Sequence, residues 1–273
     1  MNVSHKPHAA LPMASSIAPQ ELLAKKLAQA AESGDLATTS LLLSQGADPL
    51  DSDSEALRLA ASKGRAECVR ILIPISNPKA QCSGALYLAA FKGHAECVRL
   101  LIPVSDPMAE NSEALRWATA NGHTECVKLL IPVSNTKVDG SDALWIAAEN
   151  GHAKCVQLLI PISNPKVNRS EALRIAASNG HAECVELLIP VSEPLSIISS
   201  PFHAALASGH ANIVALMIQL EPSLLDLIDL PQSSAEASLK GNHQLAAMLL
   251  SIAESQAFSL VARASTPSAS PRL

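Results

Sequence analysis

The residues of this chain best placed for chemistry are four His-x-x-Cys pairs: His94/Cys97, His123/Cys126, His152/Cys155 and His181/Cys184. In three of them an acid stands just before the Cys, at Glu96, Glu125 and Glu183. Imidazole, thiol and carboxylate within four residues are the parts of half a zinc site, or of a nucleophile with its base. Either use requires the pairs to meet further groups, and that depends on the elements carrying them.

Those elements repeat. Glycines at 64, 93, 122, 151, 180 and 209 stand 29 residues apart, with Gly34 and Gly241 continuing the series at intervals of 30 and 32, which gives eight copies of one unit. Five copies are nearly identical, among them "SEALRLAASKGRAECVRILIPISNP" and "SEALRIAASNGHAECVELLIPVSEP". Within a copy, Ser54 and Glu55 suit a helix start, as an N-cap and a first-turn carboxylate. Leu57, Ala60 and Ala61 follow at helical spacing, and Gly64 suits a left-handed C-terminal cap. A second helix is predicted from Ala66 to Ile73, where Pro74 stops it. Isolated helices below about 12 residues are marginal in water, so these hairpins must be stabilised by stacking. The alanine pairs at 60/61, 89/90, 147/148 and 176/177 permit close approach. The predicted class is all-α, an extended solenoid.

Stacking decides the chemistry. Packed helices lie about 8–10 Å apart, whereas zinc ligands sit at about 2.0–2.3 Å and a disulfide needs Cα atoms within about 7 Å. Pairs on adjacent units therefore close neither on one ion nor on each other. Cys68, Cys97, Cys126, Cys155 and Cys184, each followed by Val and four residues before Leu, are expected as free thiols filling the core. Ile213 fills the Cys slot in a later unit and Arg65 fills the His slot in an earlier one, substitutions that coordination would not tolerate. No Gly-rich phosphate loop, nucleophile elbow or acid pair stands apart from the repeat. No catalytic residue, metal or cofactor is expected, and a Cys/His enzyme or zinc protein is the weakest alternative.

Net charge is −5 with an isoelectric point near 6.0, and no Lys/Arg cluster exceeds two. Nucleic acid and an anionic membrane are not expected partners. The best apolar run, Ile213 to Leu230, is broken by Glu221, Pro222, Asp226 and Asp229, so no span is expected. The stretch "AALPMASSIA" is interrupted by Pro12, Ser15 and Ser16, which argues against a cleaved signal peptide. Residues 1–20 and 257–273, rich in Ser, Ala and Pro, read as disordered tails flanking a solenoid over 21–256.

The repeat resembles the ankyrin family. "SPFHAALASGHANIVALMI" at 200–218 follows its T-P-L-H…G-H…V-V…L-L pattern, the central units keep "AA", "GHAECV" and "LLI", and 21–50 resembles an N-terminal capping unit with its "GAD" turn. The resemblance implies a helical-hairpin solenoid of about eight repeats, with the His after Gly bonding backbone between units. The unit is short, and "IPVSNPK" replaces part of the projecting hairpin, so the turns should be blunted. The acid-free N-terminus before an Ala-rich array resembles bacterial type III-secreted effectors, and the central unit is similar to arrays of plant-associated bacteria. That resemblance implies a cytoplasmic protein secreted into a host cell, where it meets a host protein. No small-molecule substrate is expected, and the chain is expected as a monomer.

Positions fixed by packing look alike across a repeat, and positions free to bind differ. The first-helix stripe reads Glu55/Arg58/Ser62, Gly84/Tyr87/Phe91, Glu113/Arg116/Ala120, Asp142/Trp145/Glu149 and Glu171/Arg174/Ser178, followed by Lys63, Lys92, Asn121, Asn150 and Asn179. By resemblance this is the concave face that takes protein partners. Its aromatics and arginines are residue types that interface hot spots favour. Arg58, Lys63, Tyr87, Phe91, Lys92, Arg116, Asn121, Trp145, Glu149, Asn150, Arg174 and Asn179 are the candidate binding residues. The competing reading packs Tyr87 and Trp145 between units and leaves the arginines as a solvated stripe. Trp117, in the column of Leu59, Leu88 and Ile146, is expected in the core. A further alternative is a ubiquitin-ligase adaptor with an F-box-like stretch at "APQELLAKKLAQA".

Overall fold

Apolar residues recur on one stripe of each predicted helix, and hairpin after hairpin buries that stripe against the next. The computed structural model describes residues 19–165, 170–192, 199–226 and 228–264. These form sixteen α-helices, paired as eight hairpins, with no strand among the described residues. The first four pairs are α1 (Pro19–Ser33) with α2 (Leu36–Ser44), α3 (Asp51–Ser62) with α4 (Ala66–Leu72), α5 (Ala80–Lys92) with α6 (Ala95–Leu101), and α7 (Ala109–Ala120) with α8 (Thr124–Leu130). The last four are α9 (Thr136–Glu149) with α10 (Ala153–Leu159), α11 (Glu171–Asn179) with α12 (Ala182–Leu188), α13 (Ser199–Ser208) with α14 (Ala211–Leu220), and α15 (Leu230–Leu239) with α16 (His243–Ala264). First helices pack on first helices of the neighbouring unit, and second helices on second helices. Residues 1–18 and 265–273, most of the two expected tails, lie outside the described residues. The boundary expected at 256 falls inside α16.

Each second helix of the central units has only seven residues. In four of the five it ends where the Ile-Pro step tightens into a 3-10 turn, as at Ile73–Ile75. Such a helix is too short to stand alone; burial holds it. Leu57, Leu86, Leu115, Leu144 and Leu173 form one inaccessible column, continued by Phe202, and Leu72, Leu101, Leu130, Leu159 and Leu188 form another, continued by Met217. A buried Leu contributes about 1.5–3 kcal/mol. The exposed pairs Glu67–Arg70, Glu96–Arg99 and Glu125–Lys128 form at 3.5, 3.3 and 2.6 Å, but such pairs add only about 0.2–0.5 kcal/mol each. The apolar columns therefore carry the stack.

The link between units differs from the sequence expectation in one respect. Ser54, Ser83 and Ser112 do not cap their own helices. Each has left-handed φ, at 60°, 64° and 54°, and its buried hydroxyl turns toward the loop that leads into the following unit. Ser54 Oγ accepts from the N–H of Asn77 and Ser83 Oγ from that of Asp106, both at 2.8 Å; Ser112 Oγ accepts from Asn135 at 3.2 Å. The two residues before each Ser are also left-handed. A short left-handed turn thus stands at the start of each of these first helices.

Candidate protein-binding face

The His-x-x-Cys pairs are split between two structural tasks. In every unit carrying one, the His ring lies at the loop after Gly, and Nε2 donates to a carbonyl of the preceding unit. His94 reaches Ser62 at 3.1 Å, His123 reaches Phe91 at 3.1 Å, His152 reaches Ala120 at 3.0 Å and His181 reaches Glu149 at 3.0 Å. A carbonyl oxygen only accepts, so Nε2 carries the proton. Arg65 does the same work with another side chain, its Nε donating to Glu32 O at 3.1 Å. The ring lies flat on the preceding unit's glycine: a Cβ on Gly93, which has φ +78°, would stand 2.5 Å from His123 Nδ1. Glycine is needed here twice over, for its conformation and for the ring above it.

The cysteines face the other way. Cys68, Cys97, Cys126, Cys155 and Cys184 are buried free thiols. Burial pushes Cys97, Cys126 and Cys184 up to about 11. A thiol held protonated in an apolar core is neither ligand nor nucleophile. The described residues bring no three His, Cys, Asp or Glu together as a metal site.

The first helices expose a different chemistry. Tyr87 and Phe91, one turn apart on α5, have ring centroids 6.1 Å apart. Trp117 of α7 meets both, edge-on to Phe91 at 5.4 Å and to Tyr87 at 6.4 Å. The expectation that Trp117 is core is thereby corrected: it is 40% exposed. Its column is only half-buried at Leu59, Leu88, Ile146 and Ile175, and an indole is too large for that depth, so the ring lies out across the unit boundary. The signal in the sequence was one aromatic in an aliphatic column. Trp145 does not join this cluster. It is half-buried one unit further on, beside Asp142, Asn164 and Glu171 in a groove of about 340 Å³.

The charged candidates divide according to their partners. Arg174 closes a two-pronged ion pair with Glu171, whose carboxyl is held below its ordinary range by that bond. Lys63 reaches Glu32 at 3.2 Å. Arg116 occupies the slot equivalent to Arg174, yet Glu113, the equivalent of Glu171, accepts from Trp117 Nε1 at 3.2 Å instead. Arg116 is left with no ion pair among the described residues. Lys92 lies over the Phe91 ring, 4.7 Å from its centroid. Arg58 donates only to the carbonyls of Ser52 and Asp53, at 2.9 and 3.3 Å, and its side chain leans over Gly84, the one unit of the stripe without an acid.

The asparagines close the helix ends. Asn121 donates to Trp117 O at 2.8 Å and Asn150 to Ile146 O at 2.9 Å. Asn179 reaches Glu149 O at 2.9 Å, so Glu149 joins the link between units through its backbone. The structure thus brings together Tyr87, Phe91 and Lys92, adds Trp117, and leaves Trp145 and Arg174 apart.

Stacked two-helix units tied through Gly-His loops, with a varied first-helix face, define a repeat scaffold. The family model for ankyrin repeats matches three times, over residues 27–111, 86–170 and 115–197, which together span more than half of the chain. The chain belongs to the ankyrin-repeat family. Among solved structures, the human ASB11 ankyrin repeat domain is similar at 22% identity and a TM-score of 0.52, covering 62% of this chain and 84% of that one. That likeness bears on the fold alone. A comparison with curated proteins gives no significant match. Ankyrin repeats are protein-interaction scaffolds, and among the described residues no helix is long and apolar enough to cross a membrane.

Proposed function

We propose that this chain is a non-enzymatic scaffold that captures a protein partner through the first-helix face of its third and fourth units, with Tyr87, Phe91 and Trp117 as the anchor. One observation carries the reading: three of the chain's six aromatic residues meet on one surface of a molecule whose core is almost wholly aliphatic. Aromatic residues and Arg are enriched among the few positions that dominate binding energy. The Tyr87→Ala, Trp117→Ala double variant, used as bait beside the intact chain in affinity purification from host cytosol, tests it. Loss of the captured protein with an unchanged helical circular-dichroism spectrum is expected; undiminished capture overturns the reading.

The setting we propose is a host cell entered by type III secretion. Its support is compositional, a first twenty residues with no acid. A reporter fused to residues 1–20 should enter host cells only from bacteria with a working type III apparatus, and entry from a secretion-null strain removes this part. The stretch resembling an F-box places Ala24, Leu27, Ala28 and Ala30 inside the core, so its apolar face is already used and favours no second reading.

A further inference from the structure

We infer that Glu113 is the positioning residue of the aromatic surface: its carboxylate holds the Trp117 indole in the orientation in which Tyr87, Phe91 and Trp117 receive a partner. The inference rests on the reading of these rings as the binding face and adds how that face is kept in order.

The tetrad Glu-Ala-Leu-Arg recurs in three first helices, at Glu55–Arg58, Glu113–Arg116 and Glu171–Arg174. On a helix the acid reaches the residues three and four positions further on. Three positions on stands Arg in every case; four positions on stand Leu59, Trp117 and Ile175, so α7 alone of the three offers the acid a second donor. In α11 the acid takes its arginine, Glu171 with Arg174. In α3 Arg58 turns to the carbonyls of Ser52 and Asp53. In α7 the half-buried Glu113 accepts from Trp117 Nε1 at 3.2 Å.

A two-pronged bond from Arg is the stronger of the two that Glu113 could accept, and the rings account for the other choice. The indole stands edge-on to Phe91 at 84° and to Tyr87 at 67°, and in that orientation its N–H meets the carboxylate. The backbone carrying Glu113 is itself fixed, because the preceding Ser112 is buried and its hydroxyl accepts from the Asn135 N–H at 3.2 Å. Trp117 is exposed, and a free exposed side chain must be ordered when a partner binds, at a cost in affinity. The bond to Glu113 removes that freedom beforehand. Glu113 acts through Trp117.

The test uses a Trp145→Phe background, in which Trp117 is the sole tryptophan. The probe is a linear peptide selected on the intact chain from a random phage-displayed library and counter-selected against the Tyr87→Ala, Trp117→Ala variant, so that its binding depends on the rings. Glu113→Ala is expected to speed the local motion of Trp117 in time-resolved fluorescence anisotropy of the free protein. It should also weaken the peptide about two- to tenfold in calorimetric titration. Glu113→Gln, whose amide oxygen still accepts from the indole, should restore both. Glu171→Ala, at the equivalent acid of the sixth unit, should alter neither. Unchanged Trp117 motion in Glu113→Ala overturns the inference, as does faster motion with undiminished binding, or a Glu113→Gln variant that behaves as Glu113→Ala; in each of these the binding face stands. A library that yields no ring-dependent peptide removes the binding face, and the inference with it.

Discussion

The indole of Trp117 stands edge-on to the ring of Phe91, 5.4 Å between centroids and 84° between planes, across the boundary of the third and fourth units. Neither residue is near the other in sequence; the stack alone makes them neighbours. Such aromatic pairs contribute about 0.5–1.5 kcal/mol beyond their burial, so Trp117→Ala should lower the melting temperature modestly while removing most partner affinity. With each tryptophan of the chain replaced singly by Phe, the emission of Trp117 should shift when the partner binds, and that of Trp145 should not. A shift confined to Trp145 would move the binding face one unit along.

The Gly-His contact should behave as a coupled pair. Gly93→Ala forces an L side chain into φ +78° and onto His123 Nδ1; the left-handed conformation alone costs about 1–2 kcal/mol. In the His123→Ala background the steric part is gone, so the same substitution should cost measurably less. Equal costs in denaturant titrations of the four proteins would refute the contact. Arg65→His should be tolerated, because a ring in that place reaches the same Glu32 carbonyl.

Thiol chemistry should distinguish one cysteine from five. Cys82 alone is exposed, so native alkylation should give a single adduct and denatured alkylation six. The Cys82 thiol donates to Glu110 at 3.2 Å, and that bond and the nearby charge hold its pKa above the ordinary value. Glu110→Gln removes the charge, the thiolate becomes more populated near neutral pH, and the labelling rate should rise. Native adducts on Cys97 or Cys126 would contradict their burial.

Ser83 combines an unfavourable conformation with a useful bond. Ser83→Ala keeps φ +64° and leaves the Asp106 N–H without its acceptor, an omission costing about 1–3 kcal/mol. Ser83→Gly loses the same bond but relieves the conformation, so it should destabilise less. Two residues earlier, Gln81 has φ 48° and donates to Asp53 Oδ2 across the units at 3.2 Å, a bond exposed to water; Gln81→Gly gives up that bond but relieves the conformation, so it should destabilise less than either Ser83 variant. Thermal unfolding of the three variants orders them; a Ser83→Gly variant less stable than Ser83→Ala refutes the left-handed turn.

What the sequence by itself determined is whatever recurs within one unit. The 29-residue glycine period, the Leu and Ala spacing and Pro74 placed both helices and their ends, and the exchange of Cys for Ile213 marked a core position. These are local matters: helical periodicity, capping and stopping act over a few residues of chain. The tertiary structure decided what lies between units. It gave the Ser54 hydroxyl to Asn77 instead of its own helix, moved Trp117 from the expected core onto Phe91, separated Trp145 from that cluster, and left Arg116 open where Arg174 is paired. Each is a contact between residues about one repeat apart in sequence, or a consequence of one. A helical pattern says which stripe of a helix is apolar, but the depth of the stripe's edge and the neighbour across it exist only once the units are stacked.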